Sequence, residues 1–208
     1  EPVRYAVIDA GTNSIKFHIG EHDVGGKWRT VVDRAEVTRL GEGLAKRGMI
    51  IDAALERATA AIADMVDEAK RHGVRAVAAV GTAGLRIASN GNEVVDAIRA
   101  RTGVHIEVIS GEEESRLAYL AAKAGLGLNQ GSLVVFDTGG GSSQFTFGHD
   151  VVVDERFSVD VGAVGYTERF GLDRAVSPEV LREAMAAISA DLSRIDGRPV
   201  PDALAGMG

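Results

Sequence analysis

Ser132-Leu133-Val134-Val135-Phe136-Asp137-Thr138-Gly139-Gly140-Gly141-Ser142-Ser143-Gln144-Phe145-Thr146-Phe147 is the stretch that decides the fold. An apolar run ends on an aspartate, glycines and hydroxyl residues follow, and polar and apolar residues then alternate. That order predicts strand 132–136, a tight turn over 137–143 and a half-buried strand over 144–147. The same order occurs near the start of the chain. Tyr5-Ala6-Val7-Ile8 is a short apolar run, Asp9-Ala10-Gly11-Thr12-Asn13 supplies turn chemistry, and Ser14-Ile15-Lys16-Phe17-His18-Ile19 alternates. Two copies of one β–turn–β unit imply an internal duplication, and with it two related domains.

Working outward, Trp28 to Leu40 is rich in strand-forming residues, among them Val31, Val32, Val37 and Thr38. Asp52 to Gly73 reads as a helix, with Asp52 as N-cap and Leu55, Ala58, Ile62, Met65, Val66 and Ala69 on one face. Arg71 and His72 fill its last turn and Gly73 ends it. Strand 76–80, helix 92–101, strand 105–109 and helix 112–124 follow. Such alternation predicts an α/β architecture with a mostly parallel sheet covered by helices. The glycine-rich segment 125–131 is the best linker, which places one domain at 1–124 and a second at 125–208. Ser177-Pro178 opens a further helix, whose apolar face is Leu181, Met185, Ile188, Leu192 and Ile195. The second domain is short for such an architecture, and its C-terminal part is expected to be missing beyond Gly206-Met207-Gly208.

The 208 residues are 45% hydrophobic and 25% charged, which predicts a packed core. Without cysteine there is no disulfide, thiolate metal site or cysteine nucleophile. The five histidines show no metal-ligand spacing. No apolar run approaches the roughly 20 residues of a membrane span, so no membrane partner and a cytoplasmic location are expected. The start, Glu1-Pro2-Val3-Arg4-Tyr5, is neither a signal peptide nor an initiating methionine, so a tag or natural leader is expected to be missing. A formal net charge of −7 argues against nucleic acid as a partner. An acidic protein that takes up a polyanion must use local devices: backbone N–H groups, a few cations and a metal ion.

Both turns offer such devices. Gly139, Gly140 and Gly141 let the backbone approach a ligand closely, and successive N–H groups there can form an anion nest. Ser142 and Ser143 add hydroxyls, and Asp137 is a candidate metal ligand. Around the first turn, Thr12, Asn13 and Ser14 supply polar groups, and Lys16 lies on the same side of its strand as Ser14. Arg86, in Gly81-Thr82-Ala83-Gly84-Leu85-Arg86, is a further candidate phosphate ligand. In Ser110-Gly111-Glu112-Glu113-Glu114, Ser110 with Glu113 fits a capping box, while Glu114 is left for the surface or the space between the domains.

Taken with Ile8 to Ser14, Arg39 to Leu44, Gly81 to Arg86, Ile109 to Arg116, Phe136 to Ser143, Ser158 to Val164 and Thr167 to Phe170, the chain resembles the exopolyphosphatase/guanosine-pentaphosphate phosphatase (Ppx/GppA) family over essentially its whole length. The resemblance implies two actin-like domains of the ribonuclease H-like, sugar-kinase and heat-shock-ATPase superfamily, with an interdomain cleft as the site. It implies hydrolysis of terminal phosphate from inorganic polyphosphate or guanosine pentaphosphate, with magnesium or another divalent cation, and a homodimer as the expected assembly. By position Glu114 is the implied catalytic base. Where the family usually carries a metal-associated glutamate, this chain has Gln144, which keeps a carbonyl ligand but loses a charge. A non-catalytic sensor of polyphosphate or alarmones therefore stands as the alternative, and an ATP-dependent kinase of the same superfamily as a remoter one.

Overall fold

The computed structural model describes residues 2–128, 130–139 and 142–207, and for Val164 the backbone alone. The alternation after Asp9 becomes a hairpin. In it β1 (Val3–Ala10) pairs antiparallel with β2 (Ser14–His22), setting Ile8 opposite Phe17 and Asp9 opposite Lys16. The meander continues into β3 (Trp28–Val37). After the single turn α1 (Leu44–Arg47) and the long α2 (Asp52–Arg71), β4 (Ala76–Gly81) returns parallel to β1. Then α3 (Ala83–Ile87), α4 (Gly91–Thr102) and the short β5 (Glu107–Val108) complete a sheet of order β3-β2-β1-β4-β5. Ile8, Phe17 and Ile19 bury in one cluster with Ala58, Ile62 and Met65 of α2 and Val94 and Ile98 of α4. The opposite face keeps Tyr5 36% and Val7 43% exposed.

Asp52 is not the cap of α2. Ile51 is the last extended residue, at φ −83° and ψ 153°, so Asp52 lies inside the first turn and makes no capping bond. There its charge acts on the helix dipole alone.

The second unit repeats the plan. The strands β6 (Ser132–Thr138), β7 (Ser143–His149) and β8 (Val152–Val159) form a meander. After α6 (Ala163–Phe170), α7 (Pro178–Asp191) and a 3-10 turn (Ser193–Ile195), β9 (Ala203–Met207) pairs parallel with β6. The order is β8-β7-β6-β9. Even the irregularities match: pairing with the third strand shifts between Ile19 and Gly20 in one unit and between Phe147 and Gly148 in the other.

On one face of the second sheet the rings of Phe136, Phe145, Phe157 and Phe147 stack at centroid distances of 5.7–6.1 Å, beside Leu192 and Ile195. Leu181 and Met185, at the other end of the predicted α7 stripe, stay exposed. Ser177 does cap α7, accepting from the Val180 N–H, with Pro178 next. On the opposite face α5 (Gly111–Gly125) brings in Tyr119, which is fully buried against Leu133 and Val135. The chain accordingly divides into compact units Glu1–Gly111 and Glu112–Gly208, so α5 belongs with the second sheet although it precedes the 125–131 linker. Among the described residues no helix is long and apolar enough to cross a membrane.

Candidate active site

In open α/β sheets ligands collect at the carboxyl ends of the parallel strands. In the first unit β1, β4 and β5 end level, with Ala10 paired to Gly81 and Gly81 to Val108. The turn Gly11–Ser14, the segment Thr82–Arg86 and the segment Ile109–Gly111 all leave from that edge. In the second unit Asp137 and Met207 pair at the ends of β6 and β9, and the glycine turn leaves β6 there.

The first turn is clamped through its backbone. The Gly11 N–H donates to Ser14 O at 3.1 Å. Thr12 O accepts from the Gly41 N–H at 2.8 Å, and Asn13 O accepts from the N–H groups of Thr38 and Arg39 at 3.1 and 2.8 Å. Thr12 is also wedged sideways: a Cβ on Gly41 would lie 2.2 Å from Thr12 Cγ2, and one on Gly84 would lie 3.0 Å from Thr12 Oγ1. By contrast, among the described residues the side chains of Thr12, Asn13 and Ser14 make no hydrogen bond within the protein. Lys16 is exposed, across the hairpin from Asp9. Arg86 donates Nη1 to Ile109 O at 2.7 Å, tying the segments after β4 and β5 together. Thr12, Asn13, Ser14, Lys16 and Arg86 thus share one edge of the first sheet.

In the second unit the Gly139 N–H donates to Ser142 O at 2.8 Å, and Gly139 O accepts from the Ala163 N–H at 2.9 Å, at the start of α6. Ser142 is half-buried. Ser143 departs from its expected role. Its hydroxyl is buried, donates to Val161 O at 2.6 Å and accepts from Thr138 Oγ1 at 3.1 Å, so its one proton is spent inside the protein. Its position fastens the chain after β8 to the root of the glycine turn. Gly140 and Gly141 lie outside the described residues, as does Gly208.

Asp137 and Gln144 face each other across the β6–β7 register. Gln144 Oε1 accepts from Ser115 Oγ in a long contact of 3.4 Å, which brings the N-terminal part of α5, where Glu114 precedes Ser115, near the same edge. Glu113 is engaged differently: both its oxygens meet Arg116, at 2.7 and 2.8 Å, and that guanidinium holds the carboxyl below the usual carboxylate range. Among the described residues there is no cluster of three or more histidine, cysteine or acidic side chains suited to a metal. A magnesium ion needs no such cluster, since it commonly takes one or two carboxylates and completes its shell with water and substrate phosphate oxygens. The oxygen donors Asp137 and Gln144 fit that pattern with a single charge.

Sequence reasoning overlooks Arg57, which reaches the loop that clamps the first turn. No motif marks it, because it occupies an ordinary polar position on an amphipathic helix.

Two sheets that share a four-strand order, each with a short turn at the carboxyl edge of its parallel strands, define an actin-like α/β protein. MreB5 of Spiroplasma citri shares this fold at a TM-score of 0.52 and 13% identity, over 95% of this chain and 80% of its own. Within that class the chain belongs to the Ppx/GppA phosphatase family, whose model matches residues 19–198. The crystal structure of the Aquifex aeolicus family member superposes with a TM-score of 0.84 at 28% identity, covering 100% of this chain and 67% of that one. Exopolyphosphatase 2 of Mycobacterium tuberculosis is 34% identical over 80% of this chain and 54% of its own length. Guanosine-5'-triphosphate,3'-diphosphate pyrophosphatase of Aliivibrio fischeri is 30% identical over 93% of this chain and 39% of its own. The chain therefore spans about half the length of the curated relatives it matches, or less.

Proposed function

We propose that the protein carrying this chain is a phosphohydrolase that releases terminal phosphate from inorganic polyphosphate or guanosine pentaphosphate. One observation carries the reading: the turn Thr12–Ser14 has its carbonyls locked and its polar side chains uncommitted, at the edge where such sheets bind ligands. Family membership and the names of the relatives support the substrate class.

In this reading Thr12, Asn13 and Ser14 bind phosphoryl oxygens in the first unit, and the backbone of the glycine turn with Ser142 does so in the second. Lys16 and Arg86 offset charge. Asp137 and Gln144 would hold magnesium, which when bound neutralises phosphate oxygens as charge develops. Glu114 orients a water molecule and takes its proton. The water oxygen bonds to the terminal phosphorus, the bridging P–O bond breaks, and the shortened chain leaves with the electron pair. Positioning and electrostatics supply most of the acceleration in such transfers. The acidic net charge supports a partner list without nucleic acid. A cytoplasmic homodimer is part of the proposal.

The test is phosphate release from long-chain polyphosphate with magnesium, beside Glu114→Gln. A general base contributes about 10²–10⁴ in rate, so the variant should fall by at least about a hundredfold. Equal rates would remove Glu114 from the role. A non-catalytic sensor is the second reading. Its supporting observation is that an amide, not a carboxylate, faces Asp137 at position 144. Polyphosphate binding without release by either protein would select it.

A further inference from the structure

Arg57 projects from α2 and makes three contacts with a single loop. Its Nε donates to Thr38 O at 2.8 Å, and its Nη2 donates to Glu42 Oε2 at 2.5 Å and more weakly to Arg39 O at 3.4 Å. That loop carries backbone strain, because Arg39 sits at φ 50°, where a residue with a side chain stays only if its surroundings impose it. The loop in turn donates three of the bonds that clamp the first turn: Thr38 N–H and Arg39 N–H to Asn13 O, and Gly41 N–H to Thr12 O. Gly41 also passes so close to Thr12 that its own lack of a Cβ is required. The chain of contacts runs from α2 through the guanidinium and the strained loop to the turn.

We propose that Arg57 is a positioning residue: it fixes the orientation of Thr12, Asn13 and Ser14 by holding loop 38–42 in its strained form. The planar guanidinium suits this task, since its fork meets two carbonyls and a carboxylate at once, which a lysine ammonium on a flexible stem cannot do. Its consequence for phosphate binding rests on the function proposed above, while its hold on the loop does not.

The experiment uses this chain with Arg57→Ala, Arg57→Lys and Arg101→Ala. Arg101 makes a bidentate bridge to Glu56 of α2, also at the surface, and does not touch the loop, so it reports what losing an ion pair does by itself. Two quantities are read: amide hydrogen exchange at Thr38, Arg39 and Gly41, and the Kd for tripolyphosphate from amide shifts at Gly11–Ser14. Arg57→Ala should raise exchange and Kd by about tenfold or more each, Arg57→Lys should lie between, and Arg101→Ala should match the parent. Equal exchange in the Arg57→Ala and Arg101→Ala proteins overturns the proposal, as does faster exchange with an unchanged Kd. If the parent shows no tripolyphosphate shifts at Gly11–Ser14, the phosphate reading of that turn falls instead, and exchange alone then decides whether Arg57 holds the loop.

Discussion

The two sheets share the order and register of four strands, yet one is covered on both faces and the other on one. Tyr5 pairs with Gly20 and Ala76, and Val7 with His18 and Ala78. At the matching places Leu133 pairs with Gly148 and Ala203, and Val135 with Thr146 and Ala205. The second set lies under α5 with Tyr119, whereas Tyr5 and Val7 remain open to solvent. The glycine at each bulge shows the same contrast. Gly148 is roofed by the Tyr119 ring of a helix, and Gly20 by Trp28 from a neighbouring strand. Equal backbones therefore do not make equal environments: whether a β-branched residue at one register position is core or surface depends on which helix crosses it. Strands in parallel pairing are ordinarily buried on both faces. By that rule the first sheet is the exception and the second the norm.

A charge at the equivalent positions probes the contrast most strongly. Val135→Lys puts an unpaired ammonium at a 2% exposed site and should cost roughly 3 kcal/mol or more. Val7→Lys at the matching open position should stay within about 0.5 kcal/mol. Urea denaturation of both variants checks this, and similar losses would break the comparison. A smaller effect is expected at the bulges. An alanine Cβ at 148 would lie 2.6 Å from the Tyr119 ring and 2.5 Å from Val152 O, so Gly148→Ala should cost about 1–3 kcal/mol. Gly20→Ala meets the Trp28 ring at 3.1 Å, but that ring is largely exposed and can swing away, so the cost should be below about 0.5 kcal/mol.

The smallest effect concerns pH and a carboxylate of the first unit. Glu21 is buried between Arg29 and Arg4, whose hydrogen bonds hold its carboxyl below the ordinary value of 4.5. A lowered value in the fold means stability that is fully present above 4.5 and lost as pH falls through the lower native value. Thermal midpoints measured on descending pH should fall less in Glu21→Gln than in the parent.

Much of this was readable beforehand, for reasons that can be named. Both hairpins follow from alternation around Asp9 and Asp137, and α7 from Ser177-Pro178. Thr12, Asn13, Ser14 and Ser142 are legible as turn chemistry, and they lie in the turns that leave the carboxyl edges. Ser143 was not, because a serine's local pattern is the same whether its proton goes to a ligand or to Val161 O eighteen residues on. Arg57 was invisible for a similar reason: two of its partners are backbone carbonyls, which leave no trace in sequence, and the third, Glu42, lies fifteen residues away. The cap of α2 was misplaced by one residue, since Ile51 extends the preceding chain although Asp52 is the better capping type.

The parallel pairs have a bearing on how the chain folds. Each meander forms from neighbouring strands, but β4 can join β1 only after α2 and its flanking loops are gathered in, and β9 can join β6 only after α6 and α7. The two closures span almost identical lengths of chain. Loop entropy grows only with the logarithm of length, so each unit meets nearly the same search before its last strand docks. If that search limits the rate, the two halves should refold at similar speeds and differ chiefly in how slowly they come apart.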